Sequence, residues 1–385
     1  MRLRRGQELL MKTKRLLILF SAAAALAVLS AGLAAQETGD GSIPERSYKS
    51  FSPMPIIMYD GDIGVGYGGK VKFVDYLGKK ESFDLILFNS SKGERWYVFT
   101  FSLPDLEIRQ NKKYGLSFDA KLEYDKYLKY NYYGLGPDSS KDDKTVFTHE
   151  TKSVQLTLGH GFSPNFAMEF SYVLRWLNYE NFQPGPFHDQ LSRFSKQWVP
   201  YASLVLRYDT SNSQIHPTRG IRLLLQDDLA SGGDAKYNRV TAEVRKYWAV
   251  FGDVDVFAVR AMVQYVDGSK IPFFDYSSLG GGDPLKAMRA FSLNRFLDKG
   301  KILTNFEYRF PIIWNADLPL GIKLGGNLFV DAGTVWPSFD KIDLGKLALD
   351  AGAGLRIYLP DFVVRVDVGF GKEGMGLYFN FGHIF

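Results

Sequence analysis

Gly280–Phe291 reads G-G-G-D-P-L-K-A-M-R-A-F. A run ending Glu307-Tyr308-Arg309-Phe310-Pro311 follows it, and then Phe329-Val330-Asp331-Ala332-Gly333-Thr334-Val335-Trp336. The first piece is glycine-rich and aperiodic, which predicts a long loop. The other two alternate strictly, as strands with two unlike faces do. From Ile302 to Phe310 one face holds Ile302, Thr304, Phe306, Tyr308 and Phe310, and the other Leu303, Asn305, Glu307 and Arg309. From Asn327 to Gly333 one face holds Leu328, Val330 and Ala332, and the other Asn327, Phe329, Asp331 and Gly333. If the polar faces line an enclosed lumen, a loop carrying Arg289 can fold inward and meet Glu307 and Asp331. A guanidinium fork binds carboxylates with two N–H groups at once and fixes a loop better than lysine.

The same alternation extends outward in both directions. In Tyr114–Lys126, Phe118, Ala120, Leu122 and Tyr124 oppose Asp119, Lys121, Glu123 and Asp125. Four consecutive charges on one face are costly in a dry sandwich core and ordinary in a wet lumen. Sixteen strands are expected, from a short first one at Pro55–Tyr59, closed by an Asp60-Gly61 turn, to a last one at Met375–Phe385. The fold class is therefore all-β: an antiparallel transmembrane β-barrel of about 16 strands with a long inward-folded extracellular loop. The even count suits a single-chain barrel, and the connections sort by parity. Those longer than ten residues (127–152, 177–197, 267–300 and 334–345) all fall on one side, the outer side of such barrels. Aromatics near strand ends (Tyr127, Tyr130, Tyr132, Tyr133, Trp176, Trp198, Trp248 and Trp314) are expected to form interfacial girdles.

Composition agrees with a membrane barrel. The 385 residues are 45% apolar and 15% aromatic, with no cysteine, so disulfides and cysteine metal sites are excluded. Lys12, Lys14 and Arg15 precede the apolar run Leu16–Leu29 and the small residues Ala31–Ala35, the pattern of a signal peptide over 1–35; Met11 is a second candidate start. Removing the six basic residues and one acid of 1–35 from totals of 47 and 42 leaves 41 of each. That neutral balance gives no argument for a nucleic-acid partner. Residues 36–53 are expected to be a short disordered segment, and 54–385 the barrel. After residue 35 no apolar run approaches the ~20 residues of a membrane-spanning helix.

These motifs resemble the BamA/TamA-like outer-membrane barrels, the bacterial surface antigen family. Phe329, Asp331 and Gly333 match that family's F-x-D-x-G strand. Met288-Arg289-Ala290-Phe291 matches its V-R-G-F loop tip in part, with alanine where the family has glycine. Tyr132-Tyr133-Gly134-Leu135-Gly136, and Arg207–Thr210 with His216–Gly220, resemble two further runs of the family. The resemblance implies a loop-lock of Arg289, Phe291, Glu307, Phe329, Asp331 and Gly333. It also implies a strand signal at Phe379, Phe381 and Phe385, a position in the outer membrane, and no cofactor. Family members carry periplasmic domains before the barrel, and residues 36–53 leave no room for one in this sequence.

The resemblance implies insertion, assembly or translocation of outer-membrane or secreted proteins through a lateral seam. The partners would be outer-membrane lipids, client outer-membrane proteins and a separate periplasmic protein. The seam itself is legible: Pro53 and Pro55 beside the first strand, and Gly374, Gly376 and Gly382 in the last, predict few ladder bonds between them. A passive channel or structural barrel, and a surface antigen acting through loops 127–152 and 177–197, are the alternatives. An enzyme ranks last. None of His149, His160, His188, His216 and His383 lies in a metal-binding spacing, there is no G-x-S-x-G elbow, and His188 beside Asp189 is only half of a catalytic pair. His160 and His216 are expected to be solvated.

Overall fold

The computed structural model describes residues 48–60, 63–252, 254–314, 322–359 and 363–385. The expected signal peptide, and the expected disordered segment up to residue 47, lie outside them. The described residues form one closed antiparallel barrel. Its strands are β1 Ser50–Asp60, β2 Gly64–Val74, β3 Ser82–Ser90, β4 Arg95–Leu103, β5 Tyr114–Tyr132, β6 Thr145–Ser163, β7 Phe166–Glu180 and β8 Tyr201–Asp209. They continue as β9 Gly220–Gly232, β10 Ala235–Ala249, β11 Val256–Lys270, β12 Gly300–Ile313, β13 Lys323–Trp336, β14 Ala348–Tyr358, β15 Val363–Gly371 and β16 Gly374–Phe381. A short extension of β8, Gln197–Trp198, pairs with Leu177 and Trp176 of β7. Each strand pairs with its neighbours in the chain, and β16 returns to β1. No helix among the described residues is long and apolar enough to cross a membrane; the strands make the crossing.

Alternation decides which way each side chain points. On β13, Leu328 and Val330 are exposed while Phe329 and Asp331 are buried. On β7, Phe170, Tyr172 and Trp176 face out and Ser171 and Arg175 face in. The outer face is thus a continuous apolar band, too large for a surface in water and matched to lipid. The inner face collects the charges, including Arg260, Glu307, Arg309, Asp331, Arg356, Arg365 and Asp367, each essentially inaccessible.

Four expectations are corrected. The first strand begins at Ser50, so Pro53 and Pro55 lie inside it and residues 50–53 are not disordered. A residue of an antiparallel strand turns both backbone groups toward the same neighbour, and both prolines turn away from β2. They therefore cost that ladder nothing. Asp60, expected in the turn, is the last residue of the strand, and Gly61 lies outside the described residues. Second, Tyr127, Tyr130, Tyr132 and Tyr133 do not form a girdle. The β5–β6 register shifts between Tyr127 and Tyr130. Tyr127 and Tyr130 pack against buried apolar clusters, and Tyr132 and Tyr133 are themselves buried. Trp176, Trp198 and Trp248 do face out. Third, the outer loops are shorter, because β5, β6, β7 and β11 run on beyond the expected ends: 127–152 shrinks to residues 133–144. Fourth, His216 is not solvated. It packs on Tyr358 (ring centroids 4.5 Å apart) and lies 3.1 Å from His383.

Candidate functional site

The connection from β11 to β12 enters the lumen. It opens with a small hairpin, Ser277–Leu279 against Phe296–Asp298, and between these arms the chain has no regular structure. Loop N–H groups reach the carbonyls of Asp283, Lys286, Met288, Phe291 and Ser292, and others need donors from elsewhere. The lumen wall supplies them as cations and an amide. Arg365 donates to Gly282 O (2.9 Å), Lys301 to Leu285 O (2.7 Å), Asn305 Nδ2 to Ala287 O (2.9 Å), and Arg260 to Pro284 O.

Arg289 sits at the centre of this loop with no exposed surface. Its Nε donates to Asp331 Oδ2 and its Nη2 to Asp331 Oδ1, both at 2.8 Å, which is a bidentate fork. Its Nη1 donates to Glu307 Oε1 (2.6 Å) and to Asp367 Oδ2 (3.3 Å). The guanidinium lies over the Phe329 ring, 3.4 Å from its centroid. Burial opposes the charge, but Asp331 and then Glu307 offset it and hold the proton more firmly than water would. Phe329, Asp331 and Gly333 thus have separate tasks. Phe329 floors the guanidinium and Asp331 grips it. Gly333 leaves room for the loop, since a Cβ there would come within 2.8 Å of Leu279 and 3.3 Å of Met288. Phe291 packs on Phe296 within a cluster that includes Met262, Leu279 and Leu303. Ala290 is not in the left-handed region. It fits the turn without strain, and its N–H donates to Asp350 Oδ2 (3.3 Å).

Every loop-lock residue expected from the sequence is brought together here, along with several that sequence reasoning missed. Asp367 is a third carboxylate for Arg289. Arg356 bridges Asp367 (2.6 Å) and Glu307 (3.4 Å). At the outer end, Arg295 donates to both oxygens of Glu373 (2.7 and 2.9 Å) and to Ser139 Oγ (2.9 Å), tying the loop to the β15–β16 turn and to loop 133–144. Arg365 and Asp367, two apart in a valine-rich strand, carried the same alternation signal as Glu307 and Arg309. Arg295 carried none. Glycines of β15 and β16 form the bed beneath the loop: a Cβ at Gly376 would lie 2.0 Å from Arg289 O, and one at Gly369 2.8 Å from Arg289 C.

The seam lies next to this bed. Among the described residues, only Tyr59 with Phe379, and Asp60 with Tyr378, join β1 to β16. Phe379 keeps its strand position, and Phe381 packs on the β1–β3 cluster of Ile56, Ile63 and Phe88. Phe385 does not lie on the last strand, in contrast to the sequence expectation. Gly382 takes φ +75° and turns the chain inward. Ile384 and Phe385 are then buried with Tyr247, Val256, Ala258 and Ala287, and Arg309 donates to Phe385 O (3.0 Å). His188 and Asp189 meet at 3.1 Å on the loop surface, with Asp189 almost fully exposed.

This architecture defines an outer-membrane-type β-barrel with a loop locked in its lumen. The chain belongs to the Omp85 superfamily, whose domain matches residues 76–385. In fold it is similar to BamA from Haemophilus ducreyi lacking POTRA domains 1–3 (TM-score 0.63, 15% identity, covering 86% of this chain and 70% of that one). It is also similar to CdiB from Escherichia coli (TM-score 0.58, 12% identity, 88% and 63%) and CdiB from Acinetobacter baumannii (TM-score 0.53, 13% identity, 86% and 59%). The chain thus spans less than two thirds of either CdiB. No curated protein matches it in sequence.

Proposed function

We propose that this barrel aids insertion, assembly or translocation of outer-membrane or secreted proteins through its β1–β16 seam, as an integral protein of the Gram-negative outer membrane exported by a signal peptide. It acts without catalysis or cofactor. Its partners are outer-membrane lipids, client proteins and a separate periplasmic protein. The observation that carries the reading is the two-pair seam beside fully paired strands: β1 matches β2 along all of Ser50–Asp60 and β16 along two residues only. A ladder this short opens at low cost and exposes strand edges to which another strand can add. The alternative, a passive channel or surface-antigen barrel, has less support, because the loop and its arginines occupy the lumen that an open pore needs.

The test is a disulfide across the seam, Tyr59→Cys with Phe379→Cys, in a chain with no other cysteine. The expected result is loss of other barrels from the outer-membrane proteome when this variant replaces the native protein, reversed by reductant. An unchanged proteome with the seam fully cross-linked would reject lateral opening. Depletion of the protein gives the second readout: broad loss of barrels indicates general assembly, loss of one protein a dedicated exporter, and no loss the channel or antigen reading.

A further inference from the structure

The wall that holds Arg289 from inside is also covered from outside. Tyr265 of β11, Gly300 of β12 and Trp336 of β13 stand side by side in one row at the outer end of the barrel. Residues directly opposite each other share a face. Tyr265 lies two residues beyond the exposed Val263, and its neighbour Val266 is buried, so the row faces outward. Gly300 leaves space there for the indole: a Cβ would lie 2.2 Å from Trp336 Nε1. Past Trp336 the chain turns back along the row, and the Phe339 ring packs on Tyr265 with centroids 4.3 Å apart. Thr334 and Trp336 share the outward column of β13 with Leu328 and Val330, which are 53% and 46% exposed, yet they are only 3% and 2% exposed themselves. The chain after Trp336 therefore folds over the outer face of the wall. It rejoins the sheet at Ala348, opposite Gly333, so it recrosses the same strands on its way from Tyr265 to β14.

The height of this flap is set by Tyr265, the last apolar residue of its outward column. The next residue of that column, Asp267, pairs with Lys299 (3.2 Å). Phe339 thus lies where the apolar band gives way to water, the level at which aromatic rings of membrane proteins collect. The rest of the flap is apolar and open: Phe339, Ile342, Leu344 and Leu347 are 49%, 42%, 58% and 38% exposed. Among the described residues the connection 181–196 has no strongly exposed large apolar side chain, and 133–144 has Leu135 alone. Isolated apolar residues on a surface need no explanation, but four gathered on one short connection mark a contact. The charges between them are balanced, Asp340 and Asp343 against Lys341 and Lys346. Two of these are already engaged. Asp343 accepts the Gly345 N–H (2.9 Å), and Lys346 pairs with Asp138. Net charge therefore gives no pull toward an anionic partner.

We propose that Phe339–Leu347 is an interfacial anchor seated in the outer leaflet of the membrane beside β11–β14, with Phe339, Ile342, Leu344 and Leu347 among the acyl chains and the intervening charges at headgroup level. Its partner is a lipid surface, recognised by burial of apolar area and not by charge. The patch is continuous with the lipid-facing band: it starts on Tyr265, and Leu347 precedes by two residues Leu349, which is 58% exposed on the outward column of β14. Lipid that covers the band reaches the flap without any further partner. The strands that hold Glu307 and Asp331 on their inner face are thereby fixed on both sides, by the lumen loop within and by the anchored flap without. The inference needs only that the barrel crosses a membrane, and it holds whatever the barrel transports.

Single cysteines read the depth of the flap, because the chain has no native cysteine. Ile342→Cys and Leu344→Cys each carry an environment-sensitive fluorophore in proteoliposomes of phosphatidylcholine. Leu349→Cys is the lipid reference, and Lys141→Cys, exposed in the connection 133–144, is the water reference. A nitroxide near the headgroup end of the acyl chain should quench the Ile342 and Leu344 labels about as much as the Leu349 label. Iodide on both faces of the membrane should quench the Lys141 label alone. Replacing half of the phosphatidylcholine by phosphatidylglycerol should change neither result. Ile342→Asp with Leu344→Asp should move a label at Leu347→Cys from the nitroxide to iodide, whereas Lys341→Gln with Lys346→Gln should leave it with the nitroxide. Resistance of the unheated barrel to SDS checks folding in each variant. Iodide quenching at Ile342 and Leu344, with Leu349 still quenched by the nitroxide, overturns the proposal and leaves the patch to a protein partner. Nitroxide quenching that requires phosphatidylglycerol overturns it as well, since charge would then do the docking. A Leu349 label reached by iodide would reject the membrane-spanning barrel itself, which separates that failure from the failure of the anchor.

Discussion

Between β12 and β13 the register runs unbroken from Gly300–Trp336 to Pro311–Gly325, whereas between β16 and β1 it comprises Tyr59–Phe379 and Asp60–Tyr378 alone. The wall also carries most of the buried ion cluster: Arg309, Arg356 and Arg365 with Glu307, Asp331 and Asp367, and Asp350 beside them, all around Arg289 of the loop. The seam has side-chain packing from Phe381 instead. An irregular loop inside a barrel must have its backbone groups satisfied by the wall, so the wall is polar, dense and fixed. A joint that parts, as proposed for the seam, cannot be built that way, since breaking buried ion pairs costs far more than breaking two rungs of a ladder. The two regions meet at β15–β16, whose inner face is glycine where the loop lies on it.

The largest expected effect comes from removing the loop arginine at the centre of the ion cluster. Arg289→Ala leaves Asp331, Glu307 and Asp367 buried with less compensation, a loss of about 3–5 kcal/mol. The temperature at which the barrel loses SDS resistance should fall, and protease should gain access to residues 271–299. Arg289→Lys should recover only part of this, because an ammonium cannot reproduce the fork on Asp331. Unchanged protection of the loop in Arg289→Ala and in Asp331→Ala would remove the lock from the account.

Next comes the bed. Gly376→Val places a Cβ about where Arg289 O now lies, 2.0 Å from it. A backbone atom cannot swing aside as a side chain can, so the loop must shift, at about 1–3 kcal/mol. The expected outcome is loop proteolysis like that of Arg289→Ala, with a smaller drop in barrel stability, because the wall's remaining ion pairs persist. Proteolysis equal to that of the unaltered chain would mean that the glycines serve only to loosen the seam strand.

Much of the wall was legible in the sequence because it is periodic. Strict alternation in Ile302–Phe310 and Asn327–Gly333 put Glu307, Phe329, Asp331 and Gly333 on inward faces, and Arg289 in the aperiodic stretch Gly280–Phe291 supplied their partner. What escaped was aperiodic or non-local. The shift between Tyr127 and Tyr130 inverts which tyrosines face inward, and no composition rule locates such a shift. The inward turn after Phe381 depends on the φ of Gly382, and a glycine in an alternating last strand does not by itself announce a turn. Gly376 read as a weak strand former; it is also the floor of the loop, and the sequence does not say which strand the loop will lie on.

Arg295 is the case in which local sequence carried no signal, and it predicts the smallest effect. Its guanidinium ties the loop's outer arm to Glu373 of the β15–β16 turn and to Ser139, and it lies 4.6 Å from the Phe296 ring centroid. Glu373 is partly exposed, so water can replace much of what is lost, and Arg295→Ala should cost only about 1–2 kcal/mol. The location of the effect distinguishes it from the deeper lock. The arm at residues 292–299 should become accessible to protease while residues 283–291 stay protected, because Arg289 still holds them to Asp331. Glu373→Gln, which keeps one acceptor but removes the charge, should give a weaker version of the same pattern. If Arg295→Ala instead exposes the whole loop, the outer tie and the buried fork form one cooperative unit, and the fixed wall would extend to the tip of the hairpin that borders the seam.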